Sequence, residues 1–250
     1  MSEASKETLI PQHSLSRSTL LHFLPGICIM CFYLLSAPWL SQNGFQPSFG
    51  VLLGFLLVGI PLQMGIMLRE GYKLNGKYSF QGVIHYRTKL RFWHYLVLGI
   101  IFIVYALLLV SLLGPVNEFF LEEAFAWLPE WLRNSSPPLD ESYPLFIVVI
   151  SFLALFLIDG IINPIMEEIY FRGYLMPRLS RFGVWSPIIS AFLFSIVHFW
   201  QPWNALQIFI LVAPIYYLVW RKKSIFISIV LHCLANLIGA SLSLLQYLSA

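Results

Sequence analysis

The sequence predicts an all-α fold, a polytopic bundle of about seven transmembrane helices, and three observations carry the prediction. Apolar residues make up 58% of the 250 positions and charged residues only 11%. Soluble domains carry roughly a quarter charged residues, and a water-soluble fold of this size could not hide so much apolar surface, so the solvent is a lipid bilayer. The second observation is length. Crossing the hydrocarbon takes about 20 apolar residues in a helix, and the runs 20–40, 49–68, 93–113, 145–166, 204–220 and 224–245 meet or approach that; a shorter run, 187–200, is bounded by Ser186-Pro187 and Pro202 and fits if other helices surround it. The third is charge. With the seven runs taken in order and the N-terminus in the cytoplasm, fourteen of the fifteen Lys and Arg fall on the cytoplasmic side and only Arg133 on the other, the asymmetry that sets orientation in membranes. Losing any one run spoils that split.

Residues 1–19 form a polar tail containing Lys6 and Arg17. The first apolar run is too long for a signal-peptide core and lacks a small-x-small cleavage site, so it reads as an uncleaved signal anchor. Cys28 and Cys31 form C-x-x-C inside this run, where cysteine behaves as a small hydrophobe. Arg69, Lys73, Lys77, Arg87, Lys89 and Arg91 populate the second loop, and Arg172, Arg178 and Arg181 follow the fourth run. The far-side loop, 114–144, interleaves acidic residues with Phe and Trp, the pattern of an amphipathic helix lying on the outer leaflet. His22, His85 and His94 sit near expected interfaces and read as solvated or capping residues. The net charge of +3 is too small to point to nucleic acid. The chain divides into the 1–19 tail, membrane helices with an external loop over 20–144, and a polar-studded membrane core over 145–250.

Charged groups inside membrane helices cost about 3 kcal/mol or more each and are usually functional. Here they come in three packets: Glu167-Glu168-Ile-Tyr-Phe-Arg172, Phe194-Ser-Ile-Val-His198 and His232-Cys-Leu-Ala-Asn236. Glu168 and Arg172 stand at i and i+4 with the acid first, so they can pair along one helix face, which leaves Glu167 one step round the helix and unpaired by that Arg. His232 and Asn236, also at i and i+4, point the same way; Cys233 points elsewhere. At about 1.5 Å rise per residue, Glu167 lies roughly 16 Å back from Arg178 and His232 roughly 14 Å on from Lys223. With both basic residues marking the cytoplasmic interface, the two groups share one depth near mid-membrane, provided the fourth run continues as helix past Glu168 with a kink at Pro164. A turn after Arg181 permits His198 the same level.

A carboxylate and an imidazole holding one water can act as general base. A second imidazole with a carboxamide supplies donors to a developing oxyanion. Together these suit hydrolysis of an amide bond without a covalent intermediate.

The pattern E-E-x-x-x-R, F-x-x-x-H, H-x-x-x-N, in this order over roughly 145–245, closely resembles the CPBP family, which contains the type II CAAX prenyl endopeptidases and bacterial bacteriocin-processing and immunity proteins. The resemblance implies an intramembrane endopeptidase of the glutamic type in the cytoplasmic membrane of a prokaryote, with 145–250 as its catalytic core, acting on a membrane-associated peptide or protein. It implies that Glu167 and His198 activate the water, that His232 and Asn236 form the oxyanion hole, and that Glu168 and Arg172 support them. No cofactor is expected. Glu167, Glu168, His198 and His232 are admissible zinc ligands, but no H-E-x-x-H puts two of them on one helix face, and the metal-free reading is favoured. A non-proteolytic member of the same fold that binds a membrane peptide or regulates a partner is the alternative. A proton-coupled transporter is a third class, although the two matched halves common in transporters are not visible.

Overall fold

The computed structural model describes residues 10–249, so Lys6 and Ala250 lie outside the described residues. Six long apolar helices are present: α1 (Leu15–Gln42), α2 (Phe49–Asn75), α3 (Phe92–Ala124), α4 (Leu145–Phe182), α6 (Pro202–Lys222) and α7 (Ile225–Leu248). The shorter α5 (Trp185–Ile196) completes the seven. Exposed Leu, Ile, Val and Phe stud the outer faces of α3, α4 and α7, as a helix bundle bathed in lipid requires.

Local chemistry sets the ends. Ser14 Oγ accepts a hydrogen bond from Arg17 N at 3.1 Å and caps α1. Gly76, at φ 67°, closes α2 in the left-handed conformation. α4 is a helix of uneven pitch, with π-helical turns over Leu155–Ile162 and Glu168–Leu175 flanking the short α-helical piece Asn163–Glu167. Pro164 has no N–H to give to the carbonyl of Gly160, so the ladder must re-space around it. The kink expected there takes the form of these widened turns, and the helix runs on past Glu168 as anticipated.

The basic segments gather at one end of the bundle. Arg17 and Lys73 reach Glu70 at 3.5 and 3.8 Å. His13 N donates to Arg178 O at 2.9 Å, His85 N to Gly173 O at 2.8 Å, Thr88 N to Lys223 O at 2.9 Å, and Ile225 N to Tyr86 O at 2.7 Å. The loop between α2 and α3 is thereby laid across the ends of α4, α6 and α7. At the opposite end Arg133 pairs with Glu122 at 3.6 Å, and Ser48 N donates to Ser135 O at 2.9 Å.

Three expectations are corrected. The 114–144 stretch is not one surface helix: α3 continues through Pro115 to Ala124, and only the single turn Glu130–Arg133 is helical beyond it. Membrane helices tolerate such a proline where neighbours satisfy the freed groups, and Pro129 and the Pro137-Pro138 pair break up the remainder. Arg178, taken as an interface marker, is fully buried; its Nη1 donates to Val83 O at 3.0 Å and Tyr174 O at 2.7 Å. His22 is buried too, its Nδ1 2.7 Å from Ser18 O, whereas His94 caps near Arg91 O as expected.

His13, just before α1, is held far below the ordinary imidazole range, at about 3, first by burial and then by the Arg17 and Arg178 cations and His22. His85 is lowered to about 4 by burial and by Arg178. Because the docked segment refuses a proton that the released segment accepts, docking is at full strength above pH 6.5 and weakens progressively as the pH falls towards 3. Protection factors at residues 10–14, with the intrinsic pH dependence of amide exchange divided out, should therefore fall between pH 7 and pH 5, and His13→Gln should flatten that dependence.

Candidate active site

The three polar packets converge between α4, α5, α6 and α7. Glu168 and Arg172 are buried side by side on α4 and form a direct ion pair, as their spacing anticipated. The Arg172 guanidinium lies over the Tyr216 ring at 3.9 Å from its centroid and over Phe194 at 5.1 Å, so its second face is covered by cation–π contact. Glu168 Oε1 also accepts from His232 Nδ1 at 2.7 Å. That bond pins the α7 imidazole to α4 and leaves His232 Nε2 4.0 Å from Glu167 Oε2, beyond hydrogen-bond length. Glu167 and His232 thus share one depth, and Glu167 has no Arg or Lys partner among the described residues.

His198 is placed differently from expectation. It sits two residues beyond the end of α5, in the turn that follows. Its Nδ1 lies 2.8 Å from Phe194 O, so the side chain donates to a carbonyl that a continuing helix would have filled with a backbone N–H. The ring packs between Phe194 at 4.9 Å and Trp200 at 5.1 Å. With Nδ1–H committed to the carbonyl, Nε2 carries the lone pair.

Asn236 Nδ2 donates to the backbone carbonyl of Asp159 at 2.9 Å, leaving the second amide hydrogen free. Sequence reading overlooked both Asp159 and Asn163, which precede Glu167 by eight and four residues and line the same cavity as it does. The signal was present: a carboxylate inside an apolar membrane run, at helical spacing from the Glu pair. Cys233 Sγ is 4.0 Å from Ile161 O and does not line the cavity.

That cavity, of about 550 Å³, is lined by Glu167, Arg172, His198, His232 and Asn236 together. Among the described residues it therefore offers two carboxylates without an Arg or Lys partner, Glu167 and Asp159, one imidazole lone pair and two nitrogen groups around a single space. Glu168, the other carboxylate of the Glu pair, is committed to Arg172 and His232. Among the described residues no three His, Cys, Asp or Glu side chains are arranged to hold a metal ion.

Two glycines bring the helices close enough for this. A Cβ on Gly26 of α1 would stand 2.6 Å from Val197 O, one residue before His198, and one on Gly160 of α4 would stand 2.7 Å from Leu237 Cδ2, one residue after Asn236. Small residues at such crossings let membrane helices touch.

The model of a family described as Rce1-like, type II CAAX prenyl endopeptidase Rce1-like, matches residues 149–238, a stretch that contains all three polar packets and agrees with the resemblance they carry. Comparison with curated proteins and with solved structures gave no match.

Gly26 and Gly160 should respond differently to substitution. The neighbour of Gly26 is a main-chain oxygen that cannot swing away, so Gly26→Ala should cost about 1–3 kcal/mol and lower the thermal midpoint by several degrees. Gly160→Ala, facing the flexible end of Leu237, should change it little, as should Gly65→Ala, which has open space around it. Thermal unfolding of the three purified variants checks this.

Proposed function

We propose that this protein is an intramembrane endopeptidase that hydrolyses a peptide bond with a water activated by Glu167 and His198, without a metal, and that its N-terminus and basic end face the cytoplasm. The observation that carries the reading is the convergence of Glu167, His198, His232 and Asn236 on one cavity within the membrane span. Family resemblance supports the reaction class, and the shared cavity supports the roles proposed below.

The water sits between the Glu167 carboxylate and His198 Nε2. As its oxygen attacks the substrate carbonyl, Glu167 takes its proton; the new C–O bond forms and the carbonyl π pair moves onto oxygen. Asn236 gives its free amide hydrogen to that oxyanion. His232, with Nδ1 held by Glu168, gives Nε2–H as the imidazolium. With Glu167 ionised and His232 protonated, the four side chains Glu167, Glu168, Arg172 and His232 carry no net charge, which a low-dielectric site requires. Collapse of the intermediate breaks the C–N bond, and Glu167 returns its proton to the leaving amine. Oxyanion donors aimed in advance are worth about 3–4 kcal/mol each, and a general base about 10²–10⁴-fold in rate.

The test compares new peptide termini in membranes of a deletion strain restored with wild-type protein or with Glu167→Gln, at matched abundance by immunoblot. Gln keeps the shape and polarity of the side chain and cannot take the proton, so the wild-type-dependent termini should fall about 10²–10⁴-fold, and His198→Ala should do the same. Both variants restoring all termini would establish the non-proteolytic binding reading instead. Cleavage by purified protein should survive thorough chelation; loss on chelation with recovery on adding zinc alone would make the cluster a ligand set.

A further inference from the structure

We infer that the active-site cavity is entered from the face that carries Arg133, opposite the basic clusters, so that the substrate is an extended, juxtamembrane segment of a membrane-anchored protein on the external side and not a cytoplasmic tail. This rests on the proteolytic reading and adds to it a side and a class of substrate.

The lining residues fix the direction. At its inner end the cavity stops at Arg172 and Ser228, both buried, and Arg172 is roofed by the buried rings of Tyr216 and Phe194. No lining residue comes from the basic-end segments 10–17, 69–91, 176–184 or 221–225. Among the residues that do line it, the exposed ones are Asn134 and Ser136. Both lie in the loop that follows Arg133, and Ser135 between them is tied to Ser48 by the 2.9 Å hydrogen bond. The cavity is therefore sealed towards the basic end and open at the Arg133 end.

Charge places that end outside. Among the described residues Arg133 is the single Lys or Arg there, and basic residues stay on the cytoplasmic side. The contacts of the basic end, including Arg17 and Lys73 with Glu70 and Thr88 with Lys223, show that these segments share one face of the folded molecule.

The lining also selects the occupant. Ser48, Ser135, Ser136, Asn134 and Gln201 give the outer part uncharged donors and acceptors, while Val51, Leu52, Phe55, Val212 and Ile215 make apolar walls further in. Polar groups suit the unpaired backbone amides of an extended peptide, and the walls suit its apolar side chains. A volume of about 550 Å³ falls within the roughly 300–1,000 Å³ of sites that enclose a small ligand, enough for a few residues of chain and too little for a folded domain.

The experiment uses a full-length chain with Cys28, Cys31 and Cys233 replaced by Ser, in intact cells and in inverted vesicles. In the first arm Leu155→Cys, within the cavity, is exposed to a small membrane-impermeant thiol reagent. Modification should be at least tenfold faster from the outside of cells than from the cytoplasmic face in inverted vesicles; faster reaction from the cytoplasmic face overturns the inference, whether or not the protein cleaves anything. In the second arm a bulky impermeant maleimide is attached to Asn134→Cys, or to Ser136→Cys, in cells. Wild-type-dependent peptide termini should fall at least tenfold relative to the same protein unlabelled, while maleimide on Lys77→Cys in inverted vesicles should leave them in place. Unchanged cleavage with the external mouth blocked overturns the inference while leaving the proteolytic reading intact. If Glu167→Gln abolishes no termini, the proteolytic reading fails, and the first arm still decides the side of entry.

Discussion

The structure turns on one buried ion pair. Glu168 and Arg172 lie within an apolar membrane helix, where neither charge is tolerable alone, and burying them together is easier the more further partners surround them. The surroundings supply such partners. Glu168 takes a second donor from His232 on α7, and Arg172 takes the faces of Tyr216 on α6 and Phe194 on α5. Four helices are thereby referenced to a single charge pair. Glu167, the neighbouring residue on α4, is carried to the cavity by the same constraint and is left without an Arg or Lys partner among the described residues.

The pair also explains the irregular backbone. A regular α-helix would fix Glu167, Glu168 and Arg172 on faces set by 100° steps, with every carbonyl filled. Around Pro164 the helix widens into π-turns, which free a carbonyl at Asp159 to receive Asn236. At the end of α5 the same economy is seen in reverse: the helix stops at Ile196, and His198 fills the vacated Phe194 carbonyl with its own ring. Helix irregularities at functional positions are recurrent, and in each case here the freed backbone group orients a cavity-lining side chain.

Much of this was legible in the sequence. Hydropathy gave six long helices and the short α5, because bilayer thickness fixes the length of a spanning helix. The i, i+4 spacing gave the Glu168–Arg172 pair and put His232 and Asn236 on one face, and both line the cavity. What escaped depended on tertiary context. Phe194 and His198 are spaced as if on one helix, and nothing local shows that the helix ends between them. Asp159 was hidden by the hydropathy of its neighbours. Arg178 looked like an interface residue, because basic residues at helix ends usually snorkel to water; its burial follows from the α2–α3 loop folding over it, a contact between residues 95 apart in sequence.

The measurement that bears most directly on the organising role of the ion pair is a double-mutant cycle on reversible unfolding in bicelles, using Glu168→Gln, Arg172→Met and the pair. Removing either partner strands the other in a low-dielectric core, so each single change should cost about 3–5 kcal/mol. The double variant, with no stranded charge, should cost less than the sum by at least about 1.5 kcal/mol. Additive losses, or single losses below about 0.5 kcal/mol as at an exposed pair, would contradict the account.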